Sequence, residues 1–139
     1  MPVSHRPDLS GDWALNREAC SLSPGASAVR SATLRIEHHD PVIRCSARFV
    51  FDDTNAFEFT TERTASEADA TPAADGSARW DGDGLVFTDF MGEAPDLVRM
   101  TWRYEAASDG RRLRAVERMR GGGRDQDNVW AFDRSRAEG

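Results

Sequence analysis

The sequence contains no lysine, because all 18 of its basic residues are arginines. It therefore has no side-chain amine that could form a Schiff base with a carbonyl substrate or with pyridoxal phosphate. A phosphate-binding loop of the G-x-x-x-x-G-K type cannot form either. The sequence also lacks the G-x-S-x-G motif of many serine hydrolases. No catalytic motif stands out in what remains.

Cysteine and histidine are scarce as well. Cys20 and Cys45 are the only cysteines, and without C-x-x-C spacing we expect a reduced, buried pair rather than a disulfide. His38 and His39 are adjacent, and neighbouring side chains of a strand point to opposite faces. We therefore expect no metal site and no cofactor.

Long apolar runs are absent too. No segment approaches the ~20 residues of a membrane-spanning helix, and residues 1–7 lack the apolar core of a signal peptide. We therefore expect a soluble, cytoplasmic protein with no membrane partner. Its 139 residues fit a single domain, with residues 1–7 and 135–139 as loose termini, present as a monomer or homodimer.

Charge is abundant but unevenly distributed. The net charge is −6 and the isoelectric point is near 5.0. Acids dominate residues 51–96 and arginines dominate residues 97–124, which predicts an electrostatically two-sided molecule. Nucleic-acid binding usually requires a basic domain, so we expect no nucleic-acid partner.

Most of the chain consists of short segments in which apolar and polar residues alternate. Such alternation is typical of half-buried β-strands. Between the segments lie turn residues, among them Asp-Gly pairs at 83–84 and 109–110 that favour tight hairpins. The predicted strands are 9–16, 31–39, 42–51, 56–63, 77–81, 85–91, 97–105, 112–120 and 128–134.

Two longer connections interrupt this series. Residues 17–28 lose the alternation and include Ser-Pro-Gly, so we expect a connection over one end of the barrel, with room for a short helical turn. Residues 64–75 form either a long exposed hairpin connection or a strand too polar to recognise. The sequence predicts an all-β protein, a single up-and-down antiparallel barrel of about eight to ten strands, because closure removes exposed strand edges.

The first strand resembles that of the calycin superfamily, which includes lipocalins, fatty-acid-binding proteins and small bacterial lipocalin-like proteins. The similarity rests on Gly11-Asp12-Trp13, a G-x-W motif, followed by Leu15-Asn16. Residues 80–86, and the hairpin from Tyr104 to Leu113, are similar to recurrent features of the bacterial members. The resemblance implies a barrel with the first-strand Trp packed across a closed end and a lumen for a small apolar or amphipathic ligand.

The chain departs from two ligand classes of this superfamily. The heme-binding members use a glycine-rich first strand and a histidine near the C-terminus, whereas here Ala14-Leu15-Asn16 follow the Trp and the last histidine is His39. Fatty-acid-binding members fix a carboxylate with an Arg and a Tyr near the C-terminus. Here Arg134 lies at the end of the last strand, and no Tyr follows it.

Placing the more apolar face of each strand inward gives a predicted lumen. Aromatic side chains with a few convergent polar groups are typical of a small-molecule site. Cys45, Asp89 and Asn128 share the inward faces. The predicted ligand-binding residues are His38, Phe49, Phe59, Trp80, Phe87, Met100, Trp102, Tyr104, Glu117 and Trp130.

Three functions remain open on the sequence alone. The first is binding of a small hydrophobic or amphipathic molecule in the lumen. The second is acid–base catalysis of a cyclisation, isomerisation or dehydration, with Glu117 or His38 as the proton-transfer group. In the third, side chains fill the barrel, and the strand with Arg112, Arg114 and Arg118 binds an acidic partner surface. An inward Glu117 is costly unless it is paired or protonated, so its structural alternatives are a salt bridge to an arginine or a position near the open rim.

Overall fold

The computed structural model describes residues 9–24, 26–39, 41–52, 54–67, 75–107, 109–123 and 125–135. Nine strands account for most of them, and two single 3₁₀ turns, Arg17–Ala19 and Ala26–Ala28, lie between the first two strands. The strands are β1 (Gly11–Leu15), β2 (Ser31–His39), β3 (Val42–Val50), β4 (Ala56–Glu67), β5 (Ser77–Asp81), β6 (Gly84–Met91), β7 (Val98–Ala106), β8 (Arg112–Arg120) and β9 (Gln126–Arg134).

The nine strands form one closed barrel in sequence order, with β9 returning to pair with β1. This confirms the predicted all-β barrel and the strand number. One detail differs, because β4 and β5 are parallel whereas the other neighbouring pairs are antiparallel. The parallel contact is short and joins Ala65–Glu67 of β4 to Ala78–Trp80 of β5.

The residues of β4 that make the parallel contact belong to an extension that its sequence pattern does not predict. The strand continues through Thr64 to Glu67, so these four residues are the polar strand that the alternation did not reveal. Ala65 is buried in this extension and keeps the inward–outward alternation. The rest of the polar connection, residues 68–74, lies outside the described residues.

One end of the barrel is closed by packed side chains. Trp13 is completely buried there, and its indole Nε1 donates a hydrogen bond to the Leu9 carbonyl at 3.1 Å. The guanidinium of Arg134 lies over the Trp13 ring at 4.2 Å from its centroid. The apolar side chains that are buried in the same cluster as Trp13 and do not line the cavity described below include Leu9, Leu34, Ile36, Ile43, Leu85, Leu113 and Phe132.

Gly11 lies beside the contact between Arg134 and Trp13. Its φ of +137° is a backbone conformation that other residues rarely adopt. A side chain at this position would also collide with the Arg134 guanidinium, which donates to the Ser10 carbonyl at 2.7 Å. The glycine therefore gives the last strand's arginine access to the ring of the first strand's tryptophan.

Of the predicted loose termini, residues 1–7 and 136–139 lie outside the described residues. Ser135 is the exception, because its backbone N–H donates to the Asp12 carbonyl at 2.8 Å and so extends the contact between β9 and β1. Both cysteines are free thiols, with Cys45 buried and Cys20 partly exposed.

Candidate functional site

The half of the barrel opposite Trp13 is not filled by side chains. It holds a cavity of about 510 Å³ that opens near the connection between β1 and β2 and the turn between β3 and β4. Its lining is mainly apolar, with aromatic rings contributed by β3, β4, β6, β7 and β9. The aromatic lining residues are Phe49, Phe51, Phe57, Phe59, Phe87, Trp102, Tyr104 and Trp130.

Eight of the ten predicted ligand-binding residues line this cavity. They are Phe49, Phe59, Phe87, Met100, Trp102, Tyr104, Glu117 and Trp130. His38 and Trp80 do not line it. Their rings pack against each other with centroids 5.6 Å apart, and the Leu9 backbone N–H donates to His38 Nδ1 at 3.5 Å. The alternation predicted the inward face for both residues, but neither of them lines the cavity.

Strand pairing brings the aromatic rings together. Phe59 and Phe57 on β4 lie opposite Ala47 and Phe49 on β3, and the Phe49 and Phe59 rings are stacked with centroids 6.3 Å apart. Phe49 also meets Trp130 edge to face across the lumen at 5.4 Å. Such ring pairs favour particular relative orientations and so stabilise the aromatic wall of the cavity.

Glu117 lies on the cavity wall beside Trp130. Its Oε1 accepts hydrogen bonds from Asn128 Nδ2 at 3.0 Å and from Trp130 Nε1 at 3.1 Å. Asn128 is itself buried, and its Oδ1 accepts from the Ser23 backbone N–H at 2.6 Å. Within the described part of the chain, no arginine forms a salt bridge with Glu117. The expected salt bridge is therefore replaced by two neutral donors.

Arg63 is a cavity residue that the sequence analysis missed. Its Nη2 pairs with Asp89 Oδ2 at 2.9 Å, and its side chain is only 12% exposed. Arg63 also donates to Thr61 Oγ1 at 3.3 Å and to the Ser77 carbonyl at 3.2 Å. The signal was present, because the alternation of Phe57, Phe59 and Thr61 continues to Arg63 on the inward face.

Tyr104 contributes a buried phenol to the cavity lining. The residue is 5% exposed, and burial raises its pKa well above the usual value. Cys45 lies near it, and burial raises the pKa of that thiol to about 12. Among the described residues, none forms a hydrogen bond with the Tyr104 hydroxyl, which leaves it available to a molecule in the cavity.

A hydrogen-bonded turn lies at the rim of the cavity. Asp52 Oδ1 accepts hydrogen bonds from the backbone N–H groups of Thr54 and Asn55, each at 2.8 Å. Hydrogen bonds from these two residues lower the pKa of Asp52 to about 2. The turn separates Phe51 and Phe57, which are 37% and 57% exposed at the cavity rim.

The cavity bears on the other two functions that the sequence leaves open, namely a filled barrel that binds a partner and acid–base catalysis. A barrel filled by side chains does not agree with an open volume of this size. Arginines of the basic stretch form ion pairs on the outer surface, Arg112 with Asp133 at 3.2 Å and Arg114 with Glu105 at 3.4 Å. Of the two residues suggested for proton transfer, Glu117 lines the cavity and His38 does not.

Comparisons with known proteins establish no family for this chain. No protein-family model matches it. No curated protein matches it either. A solved structure that does match is the crystal structure of a mutant of the fluorescent protein UnaG, at 15% sequence identity and a TM-score of 0.45. That match covers 92% of this chain and 96% of the UnaG chain. At this level of similarity, membership of the calycin superfamily stays a prediction.

Two further observations concern membrane-spanning helices and groups of metal-ligating side chains. Within the residues that the structure describes, no helix has the length and apolar character needed to cross a membrane. The same residues contain no group of three or more His, Cys, Asp or Glu side chains placed to hold a metal ion. The cytoplasmic location and the oligomeric state stay predictions.

Proposed function

We propose that this protein binds a small apolar or amphipathic molecule in the open half of its barrel. The observation that carries the proposal is a cavity of about 510 Å³ walled by aromatic rings. That volume lies within the range of ligand pockets in proteins, roughly 300–1,000 Å³. A ligand that displaces water from these rings removes apolar surface from solvent, which is favourable by about 25 cal/mol per Å².

The polar groups would orient the ligand rather than supply most of its affinity. Tyr104 and Glu117 both line the cavity, whereas the exposed residues at its rim, Phe51 and Phe57, are apolar. A molecule with an apolar body and one or two polar groups matches this distribution. Its apolar part would lie between the rings of Phe49, Phe59 and Trp102.

Titration with the neutral apolar dye N-phenyl-1-naphthylamine tests this proposal. We expect a saturable, one-to-one increase in dye fluorescence. Trp102→Leu and Phe59→Leu should each weaken binding about tenfold, the equivalent of about 1.4 kcal/mol, because each removes part of the aromatic wall. Leu97→Ala is the control, since Leu97 is an exposed apolar residue that does not line the cavity.

Two results would contradict the proposal. One is an absence of saturable binding by the folded wild-type protein. The other is equal affinity in the wild type, Trp102→Leu and Phe59→Leu, because the dye would then occupy a surface other than the cavity.

A further inference from the structure

The charges that face the cavity do not balance. Its lining contains three charged side chains, Arg63, Asp89 and Glu117. Arg63 and Asp89 form a pair at 2.9 Å and so neutralise each other. Glu117 is left as a carboxylate that no cationic side chain contacts in the described part of the barrel. The cavity therefore carries one uncompensated negative charge.

The carboxylate of Glu117 is held in a fixed position. Both of its hydrogen-bond donors, Asn128 and Trp130, are neutral and at most 5% exposed, and both bind the same oxygen, Oε1. They orient the group without cancelling its charge. Oε2 has no hydrogen-bond partner among the described residues and belongs to a side chain on the cavity wall. It is therefore free to accept a hydrogen bond from a ligand.

Aromatic residues neighbour this carboxylate. Trp102 lies opposite Glu117 in the pairing of β7 and β8, and the rings of Trp102 and Trp130 have centroids 6.3 Å apart. Trp102 also stacks with Tyr104 at 6.2 Å. Indole and phenol faces attract cations, most strongly where water is excluded. The carboxylate and the rings thus favour the same kind of ligand group.

We propose that the cavity selects amphipathic molecules that carry a protonated amine, which would bind Glu117 Oε2 while their apolar part packs against the aromatic wall. This inference rests on the proposed function, because it names the class of ligand for the same cavity. It excludes fatty carboxylates as preferred ligands. Arg63 already donates to Asp89, Thr61 and the Ser77 carbonyl, so a ligand carboxylate would have to displace Asp89 and would add a second uncompensated charge.

Calorimetry with three probes of the same shape tests the inference. The probes are 4-phenylbutylamine, 4-phenylbutan-1-ol and 4-phenylbutanoate, which are positive, neutral and negative at pH 7. We expect the amine to bind the wild-type protein at least tenfold more tightly than the alcohol, and the carboxylate to bind most weakly. Glu117→Gln should abolish the preference for the amine, because it removes the charge while the amide oxygen can still accept both hydrogen bonds.

Glu62→Gln is the matched control. It removes the same charge from an exposed position on the outer face of β4, so the tenfold preference for the amine should remain. Loss of that preference in Glu62→Gln would show that net charge, rather than Glu117, attracts the amine, and would overturn the inference.

The outcomes separate the two proposals. Equal binding of amine and alcohol, or tightest binding of the carboxylate, overturns the amine inference but supports a ligand-binding cavity. An unchanged preference for the amine in Glu117→Gln overturns the role proposed for Glu117, and it too supports a ligand-binding cavity. Failure of all three probes and of N-phenyl-1-naphthylamine to bind overturns both proposals.

Discussion

Tyr104 offers a direct probe of the cavity, because it is the only tyrosine in the chain. Burial raises its pKa well above 10.0, so the native protein keeps a proton that the unfolded chain releases. The stability that this provides is complete below pH 10 and is lost as the pH rises through the native pKa. Cys45, with its pKa raised from 9.0 to about 12, adds a loss in the same direction from pH 9 upward.

We therefore predict that phenolate absorbance near 295 nm appears well above pH 10 and together with unfolding of the barrel. In denaturant the same absorbance should titrate near pH 10. Tyr104→Phe is the control, since it lacks the signal and should shift alkaline unfolding to higher pH. Phenolate formation near pH 10 with the circular dichroism of the folded protein intact would contradict this prediction.

The pair of Arg63 and Asp89 lies inside the barrel and should matter more than the surface pairs. Arg63→Met keeps the apolar stem but leaves the Asp89 carboxylate without its cation, and we expect a loss of about 2 kcal/mol in the free energy of unfolding. The added change Asp89→Asn should recover part of that loss, because it removes the uncompensated charge. Denaturant unfolding measures both effects.

Arg48→Met serves as the surface comparison. Arg48 pairs with Glu58 at 3.3 Å between β3 and β4, and the two side chains are 51% and 68% exposed. Exposed pairs of this kind contribute about 0–1 kcal/mol. If Arg63→Met were no more destabilising than Arg48→Met, the interior pair would have no special structural role.

At the scale of the strands, the contact between β1 and β9 closes the barrel and depends on Gly11. We predict that Gly11→Ala lowers the free energy of unfolding by about 1–3 kcal/mol, because it strains the backbone and moves Arg134 off the Trp13 ring. Gly82→Ala is the comparison, since Gly82 has φ +62° and open space around it. Chemical denaturation should rank Gly11→Ala as the more damaging change, and the reverse order would contradict this view of the closure.

Alternation in the sequence predicted the strands well, because each strand has one solvated and one buried face. It also placed Phe49, Trp102 and Glu117 on the inward face. It could not give their height along the barrel, which depends on strand register and length. For that reason His38 and Trp80 were grouped with the cavity residues although they pack elsewhere. The parallel contact of β4 and β5 was missed because Thr64 and Ser66 give that extension a polar character.

At the scale of the molecule, the two ends of the barrel have different roles. Apolar side chains fill the end around Trp13, which stabilises the fold, whereas the other end keeps an aromatic cavity open. The sequence alone could not distinguish a filled barrel from an open one, since the same apolar residues occur in both. The open volume arises from how the nine strands are arranged.

The four tryptophans of the chain allow a direct test of this division. Trp13 and Trp80 lie outside the cavity, and Trp102 and Trp130 line it. A titration with 4-phenylbutan-1-ol, followed by the indole N–H signals in a ¹H–¹⁵N correlation spectrum, should move the signals of Trp102 and Trp130 in a saturable manner. The signals of Trp13 and Trp80 should change little. Single Trp→Phe variants assign the four signals. Shifts confined to Trp13 and Trp80, or no saturable shift at all, would contradict a ligand-binding cavity in the open half of the barrel.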